Sequence, residues 1–385
     1  MININDPKEC CGCTACASVC SLDAIEMKPD SLGFLYPVVN KNLCVECGLC
    51  ERVCQFNDNY DKSLNLPQLC ALAVRHKDIS EVMKSRSGAA FAAISDFVLK
   101  QGGIVYGAGY KDHFRVAHKR ASTIEERDEF RGSKYVQSDL TGIYRQVKDD
   151  LKSGLLVLFS GTPCQTSGLN AFVGKKLRDK LILVDIVCHG VPSPYIWRDY
   201  IKYIERKQRD IIRKVDFRNK EYFGWEAHQE TFLFGNKEIY KNTFTLLFYK
   251  DIMLRESCGV CHFTNLNRPS DITLADYWGW EKNVPGFNDD DKGVSLVFLN
   301  TQKGKDAFAE VEKDVEAKEV EVENSMQPNL MHPSEINPLR KQFESDYVNR
   351  GIRYILKQYG NVGLKHDIHA FVYKFKTWFL NTIKK

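Results

Sequence analysis

Eight cysteines near the N-terminus constrain this 385-residue chain more than any other feature. Cys10, Cys13, Cys16 and Cys20 follow the spacing C-x2-C-x2-C-x3-C, and Cys44, Cys47, Cys50 and Cys54 repeat it. Three thiolates so spaced can wrap one corner of a cubane, while the fourth, on the helix that follows, reaches across. This is the bacterial ferredoxin pattern, in which the fourth cysteine of each run serves the other cluster. One 4Fe–4S centre is therefore expected on Cys10, Cys13, Cys16 and Cys54, and a second on Cys44, Cys47, Cys50 and Cys20. Structural zinc takes cysteines in separated C-x2-C pairs rather than runs of four. Disulfides need an oxidising compartment, and no long apolar run precedes the first cysteine. The proline usual after the fourth cysteine is Ser21 in one copy and Gln55 in the other, which alters a turn and removes no ligand.

The length suits two or three domains, and 43% hydrophobic with 27% charged residues is ordinary for a globular protein. No stretch approaches the eighteen or so uncharged apolar residues of a membrane span. Net charge is +4, but Leu339 to the end carries ten Lys or Arg against three Asp or Glu; that local +7 leaves −3 for the rest. The body therefore lacks the basic surface of a nucleic-acid-binding protein. Fourteen cysteines without a secretory signal point to redox or metal chemistry in a cytoplasmic protein.

Residues 1–56 read as a dicluster ferredoxin-like unit containing a short edge strand over Phe34–Val39, and 57–68, polar and ending near Pro67, as a linker that leaves the unit separable. From Leu69 a second unit begins with a strand. Ser87 and Gly88 then precede a helical pattern in Phe91, Ile94, Phe97 and Val98. Hydroxyls and small residues before a helix suit an anion, but on this feature alone an ordinary N-cap is the better reading. Gly107 and Gly109 lack the third glycine of a dinucleotide fingerprint. Arg131 to Ser138, with Ser133, Lys134, Tyr135 and Gln137, reads as a phosphate or flavin-edge contact or as a solvated turn.

A buried-type strand at 155–160 leads into Cys164, and another at 181–187 into Cys188. The helix between them makes this a right-handed βαβ unit. Both cysteines then fall just past the carboxyl ends of neighbouring strands, where open α/β sheets bind ligands. A hairpin around Gly235-Asn236 follows, and then the C-x2-C pair Cys258 and Cys261. We expect Cys164, Cys188, Cys258 and Cys261 to hold a third iron–sulfur cluster, with zinc as the alternative the spacing also fits. Cys11 and Cys70 remain as packing cysteines.

The segments SRSGAAF, RGSKYVQS, SGTPCQ, CHGVPSP and SCGVCHFTNLNRPSDITLADYWG together resemble the coenzyme F420 hydrogenase/dehydrogenase beta subunit family over roughly residues 70–300. The resemblance implies FAD beside the clusters, and Ser87, Gly88, Ser133, Lys134, Tyr135 and Gln137 become the candidate flavin contacts. It implies a mixed α+β or α/β body, with an N-terminal family domain over 69–150 and a C-terminal one over 151–335. It further implies an oxidoreductase passing electrons between clusters, flavin and a two-electron organic substrate, of the F420 kind or from a polysaccharide pathway. The partner would be a ferredoxin or a dehydrogenase or hydrogenase subunit. The other reading is an electron-transfer subunit with no substrate of its own.

Residues 336–385 are expected to form a basic amphipathic tail. Ile368, Phe371, Val372, Phe375, Trp378, Phe379 and Ile383 make a helical stripe edged by lysines. Docking on the body is the preferred reading, and a helix lying peripherally on a membrane surface is the alternative.

Overall fold

The structure is a computed structural model that describes residues 1–56 and 62–363. The stripe over 368–383 lies outside the described residues.

The strands are β1 (Ile25–Pro29), β2 (Leu35–Val39), β3 (Asn65–His76), β4 (Ile104–Lys111), β5 (Arg115–Ala121), β6 (Val157–Gly161), β7 (Leu181–Ile186), β8 (Lys214–Asp216), β9 (Glu230–Leu233), β10 (Glu238–Lys241), β11 (Ile272–Asp276), β12 (Ser295–Thr301) and β13 (Val315–Val320). The eight-stranded sheet has the order β13-β3-β12-β11-β7-β6-β4-β5. Its centre is parallel: β11 with β7, β7 with β6, and β6 with β4. These strands are almost wholly apolar (LILVDI in β7), as strands covered on both faces must be. The βαβ unit expected around Cys164 is present, with Val157 paired to Leu181 and the helix Pro163–Val173 between. That helix starts with a capping box, in which Thr162 and Gln165 satisfy each other's backbone N–H.

The segments 69–150 and 151–335, expected as the two family domains, build one eight-stranded sheet between them. β13 pairs with β3 from Ala71 to His76, so the chain's second half closes the sheet that its first half opens. The linker is also shorter than expected, because β3 begins at Asn65 and its early residues pair with β12. Within the tail region, the helical segment Arg340–Gln358, broken at Gly351 (φ 72°), buries Phe343, Tyr347, Ile355 and Leu356 in the core of a side lobe. The three strands β10-β9-β8 and the helix Pro194–Gln208 complete this lobe, packed around Trp197, Tyr200, Phe232 and Phe244.

The cysteine-rich unit is keyed into the body rather than tethered to it. Leu32 and Phe34, both fully buried, belong to the side-lobe core. Leu32 O accepts from Ser193 Oγ (2.6 Å) and from Tyr195 N (3.1 Å). Arg145 donates to the carbonyls of Ser18, Ala17 and Cys20. The main tie is Arg255, 0% exposed, whose guanidinium donates to Cys10 O (2.7 Å), Leu35 O (3.0 Å) and Gln137 Oε1 (3.0 Å). It also lies 4.2 Å from the ring centroid of Tyr36. Deleting residues 1–56 would therefore open the side-lobe core, contrary to the separable unit read from the sequence.

Arg255→Leu leaves those buried acceptors unpaired, each at a cost of about 1–3 kcal/mol. We expect a lowered urea midpoint and faster amide exchange across residues 10–36. An unchanged midpoint would mean that the unit docks without this residue.

Candidate functional site

The two cysteine runs fold alike. Gly12 (φ 71°) and Glu46 (φ 52°) occupy the same place in the repeat, as do Thr14 (φ 66°) and Gly48 (φ 71°). All four are left-handed, so each loop turns its N–H groups inward around the thiols. Gly12 N approaches Cys10 Sγ at 3.4 Å, and Ile2 N approaches Cys50 Sγ at 3.3 Å. The structure brings Cys16 beside Cys13, Cys10 and Cys54, the crossed set expected for one cluster. Burial first, and then these neighbours, push the Cys16 thiol up. Burial likewise pushes Cys54 up to about 11, with Cys13 and Cys10 adding to it. The other run is more open, and Cys47 is exposed. All fourteen cysteines are free thiols.

Cys164, Cys188 and the pair Cys258 and Cys261 come from three separate places in the chain and line one cavity of about 30 Å³, together with Cys11, Phe56 and His189. Burial pushes Cys258 up to about 12 and Cys261 up to about 11. Cys164 moves the other way, because the Cys11 thiol donates to it. Such protons must leave when a metal binds, so binding here is coupled to proton release. The donor set, four soft thiols in an apolar pocket, fits an iron–sulfur or zinc centre. Among the described residues no three His, Cys, Asp or Glu side chains stand close enough to share a single ion. In a cubane each iron takes one cysteine thiolate, so the ligands stand at separate corners.

A second cavity, of about 470 Å³, opens off the carboxyl ends of β6, β7 and β11. Its size is in the range of cofactor sites. Thr162, Cys188, His189, Gly190 and Val191 line both cavities. One wall is the start of the helix Ala90–Lys100, which has no side-chain cap and whose N-cap, Ala89, is left-handed (φ 68°). Beside it lie two guanidiniums. Arg131, 5% exposed, pairs with Glu81 (2.6 Å) and Asp128 (2.7 Å). Arg86 pairs with Asp216 (2.6 Å). Arg131 Nη1 and Arg86 Nε and Nη1 are buried without a hydrogen-bond partner among the described residues. Uncapped helical N–H groups beside guanidinium donors form a wall suited to phosphate oxygens. Across the cavity Arg218, 1% exposed, pairs with Asp276 and donates to Trp225 O (2.7 Å), while its Nε too lacks a partner. Trp278 stacks on buried Trp225 at 4.6 Å, and His228 Nδ1 lies 2.9 Å from the Tyr249 hydroxyl.

Of the six residues expected to touch flavin, Ser87, Ser133, Lys134 and Tyr135 line this cavity. Gly88 and Gln137 do not. A Cβ on Gly88 would stand 2.1 Å from Val74 O, so that glycine allows a close backbone approach to β3. Gln137 instead faces the cysteine unit, donating to Cys11 O at 2.9 Å. Nor is Lys134 a solvated surface group: its ammonium donates to Glu129 O and to Arg131 O, and burial lowers its pKa to about 7. The sequence reading missed His118, Arg218, His228, Tyr249 and Trp278. Only Trp278 carries a signal, in the run ADYWG, and that run entered the reading through family likeness alone. His118 fixes two loops of the cavity, with Nδ1 2.7 Å from Ser138 Oγ and Nε2 2.9 Å from Ser160 O, and it stacks on Phe159.

Residues 155–325 match the family described as the C terminus of the coenzyme F420 hydrogenase/dehydrogenase beta subunit. Residues 37–57 match the 4Fe-4S binding domain. The resemblance read from the sequence is thus borne out over 155–325, and the 4Fe–4S reading over the second cysteine run. A chain of the F420-reducing [NiFe] hydrogenase complex from Methanosarcina barkeri has a similar structure at 17% identity, with a TM-score of 0.46. The likeness covers 76% of this chain and 92% of that one. No curated protein matches the chain. Among the described residues no helix is long and apolar enough to cross a membrane.

Burial lowers the His118 pKa from 6.5 to about 4. The unfolded chain therefore binds one more proton than the folded one between those values. Stability from this group is complete above pH 6.5 and is lost as pH falls toward 4, by roughly 3 kcal/mol at most. His118→Gln should flatten the fall in urea stability over that window. An unaltered slope would show that His118 is not buried as the neutral ring.

Proposed function

We propose that this chain is an iron–sulfur flavoprotein oxidoreductase, working between ferredoxin-type 4Fe–4S clusters, FAD and a two-electron organic substrate. Clusters carry single electrons and flavin exchanges one or two, which is the conversion such a protein supplies. Cys10, Cys13, Cys16 and Cys54 would hold the inner ferredoxin cluster, Cys44, Cys47, Cys50 and Cys20 the outer one, and Cys164, Cys188, Cys258 and Cys261 a third. The observation that carries the reading is the shared wall: Thr162 and Cys188 to Val191 border both the four-thiol cavity and the large one.

In this reading Arg86, Arg131 and the opening N–H groups of the helix Ala90–Lys100 take the phosphate oxygens of FAD. Ser133, Lys134 and Tyr135 close the same wall. The carbonyls of Glu129 and Arg131 hold the Lys134 ammonium in place, where burial brings its titration to neutral pH. Trp278 and Tyr249, 39% and 46% exposed, stand where an exchanging substrate would arrive. That substrate is of the coenzyme F420 kind or belongs to a polysaccharide pathway, and the protein works in the cytoplasm. A second reading, a subunit that hands electrons to a partner enzyme, is favoured by exposed Cys47 with Leu43 and Val45 (49% and 69% exposed) in its loop. Protein contact at this apolar edge would suit a redox partner.

Anaerobically purified protein should contain about twelve irons, three cubanes of four, and should retain FAD on reconstitution. Cys258→Ser should lose a third of the iron and leave the ferredoxin signals in place. About eight irons with one zinc would make the third site structural, and reconstitution without a bound flavin spectrum would remove the flavin from the scheme. Turnover of candidate two-electron acceptors with reduced viologen separates the enzyme from the electron-transfer subunit.

A further inference from the structure

Arg268, on the segment that runs from Cys261 to β11, is 2% exposed and lines neither cavity. Its guanidinium spends its best hydrogen bonds on the main chain. Nη1 donates to Phe263 O (2.6 Å) and Nη2 to Ile186 O (3.0 Å), while Nε lies 3.3 Å from Thr273 Oγ1. Phe263 stands two residues after Cys261, and Ile186 stands two residues before Cys188. One side chain therefore bridges the end of β7 and the loop of the C-x2-C pair. The loop it grips is closed by its own side chains: Thr264 Oγ1 donates to Cys261 O (3.1 Å) and Asn265 Nδ2 to His262 O (2.8 Å). Phe263 also packs with Cys11 and Phe56 in the apolar cluster against which Cys164 and Cys261 lie.

The charge of Arg268 is matched by Asp185 of β7, 0% exposed, at 3.1 Å. That contact is misaligned for hydrogen bonding, and neither Asp185 oxygen has a hydrogen-bond partner among the described residues. The guanidinium is thus oriented by the loop carbonyls, while the carboxylate neutralises it. A buried ion pair is a poor device for stability, because the cost of taking two charges from water can exceed their attraction. We propose that Arg268 is a positioning residue for the four-cysteine site: it ties the strand end leading to Cys188 to the loop carrying Cys258 and Cys261, so that these thiols stand in place before metal binds. The planar fork is what the task needs, since it holds two carbonyls on different segments in fixed directions, and an ammonium does not. Outer partners that orient metal ligands are commonly worth roughly ten- to a hundred-fold in metal affinity.

The proposal rests on the reading that Cys164, Cys188, Cys258 and Cys261 hold a metal centre, and metal analysis of the wild-type holoprotein tests that reading separately. About twelve irons, or about eight with one zinc, uphold the site; about eight irons alone would remove the site and the proposal with it. Two variants are then compared with wild type. Arg268→Lys keeps the charge opposite Asp185 without the fork, and Arg268→Gln combined with Asp185→Asn removes both charges, so that none is left buried alone. The readout is metal release to an excess of chelator, resolved by EPR into third-centre and ferredoxin iron, or read as zinc where zinc fills the site. We expect release from the four-cysteine site to quicken by roughly ten-fold or more in both variants, with the ferredoxin signals and their release rates unchanged. Wild-type release from that site in either variant would make Arg268 a structural ion pair, and release quickened alike at all centres would make its effect a general loosening; either result overturns the proposal. Cys258→Ser, which removes the third metal, supplies a test that needs no Arg268 variant to fold. Amide exchange across 183–188 and 261–268 should stay as slow in it as in wild type, because the clamp rather than the metal holds these segments. Faster exchange there would show that the metal orders them, and would overturn the proposal.

Discussion

The molecule depends on one buried cation. Arg255 stands where the cysteine-rich unit, the strand β2 and the loop carrying Cys258 meet, and it binds an oxygen from each of Cys10, Leu35 and Gln137. A guanidinium suits this place because its planar fork reaches several acceptors at once, and because it tolerates removal from water better than an ammonium does. It also brings positive charge close to thiols that become anionic when metal binds. One residue thus joins two folding units and favours the charge state that their ligands need.

The position of the cavities follows from the sheet. Strands β6, β7 and β11 run parallel, so their carboxyl ends open on the same edge, and the chain leaves each of them into a loop there. Cys164 follows β6, Cys188 follows β7, and Asp276 and Trp278 end or follow β11. The helix Pro163–Val173 packs closely beneath: a Cβ on Gly168 would come within 2.8 Å of Cys13 Sγ. The inner ferredoxin loop is therefore held against the same sheet edge as the third cysteine set. That proximity is a consequence of topology, since neither the ferredoxin spacing nor the βαβ pattern fixes it alone.

Legibility followed the range of the interactions. The two ferredoxin spacings stand out in the sequence because ligands wrapping a cubane corner must be close in sequence. Cys164 and Cys188 were readable because a βαβ unit fixes where its loops emerge. Gln137 was misplaced because its neighbours in sequence line the cavity, while its side chain is claimed by Arg255, which lies 118 residues away. Arg218 and His228 were invisible because the lobe that carries them folds over the sheet through aromatic packing, Trp197 on Phe217 and Phe244, which no local pattern records. The separable unit was a misreading for the same reason. Its polar connection looked like a linker, but Leu32 and Phe34 belong to a core assembled mainly from residues after 190.

The two cysteine loops show how one backbone shape serves two surroundings. Gly12 and Glu46 both have positive φ at the same step of the repeat, a conformation that costs a side-chain-bearing residue roughly 1 kcal/mol. At Glu46 the side chain projects into solvent and the cost is tolerated. At Gly12 a Cβ would meet Arg255 Nη1 at 2.7 Å and Gln137 Nε2 at 3.0 Å. Glycine is needed there because of the docking contact as well as the turn. The first loop is consequently the one that can press against the body, and the second is the one left open, with Cys47 exposed. A near-symmetric repeat thereby becomes directional, with an inward half beside the third cysteine set and an outward half open to solvent.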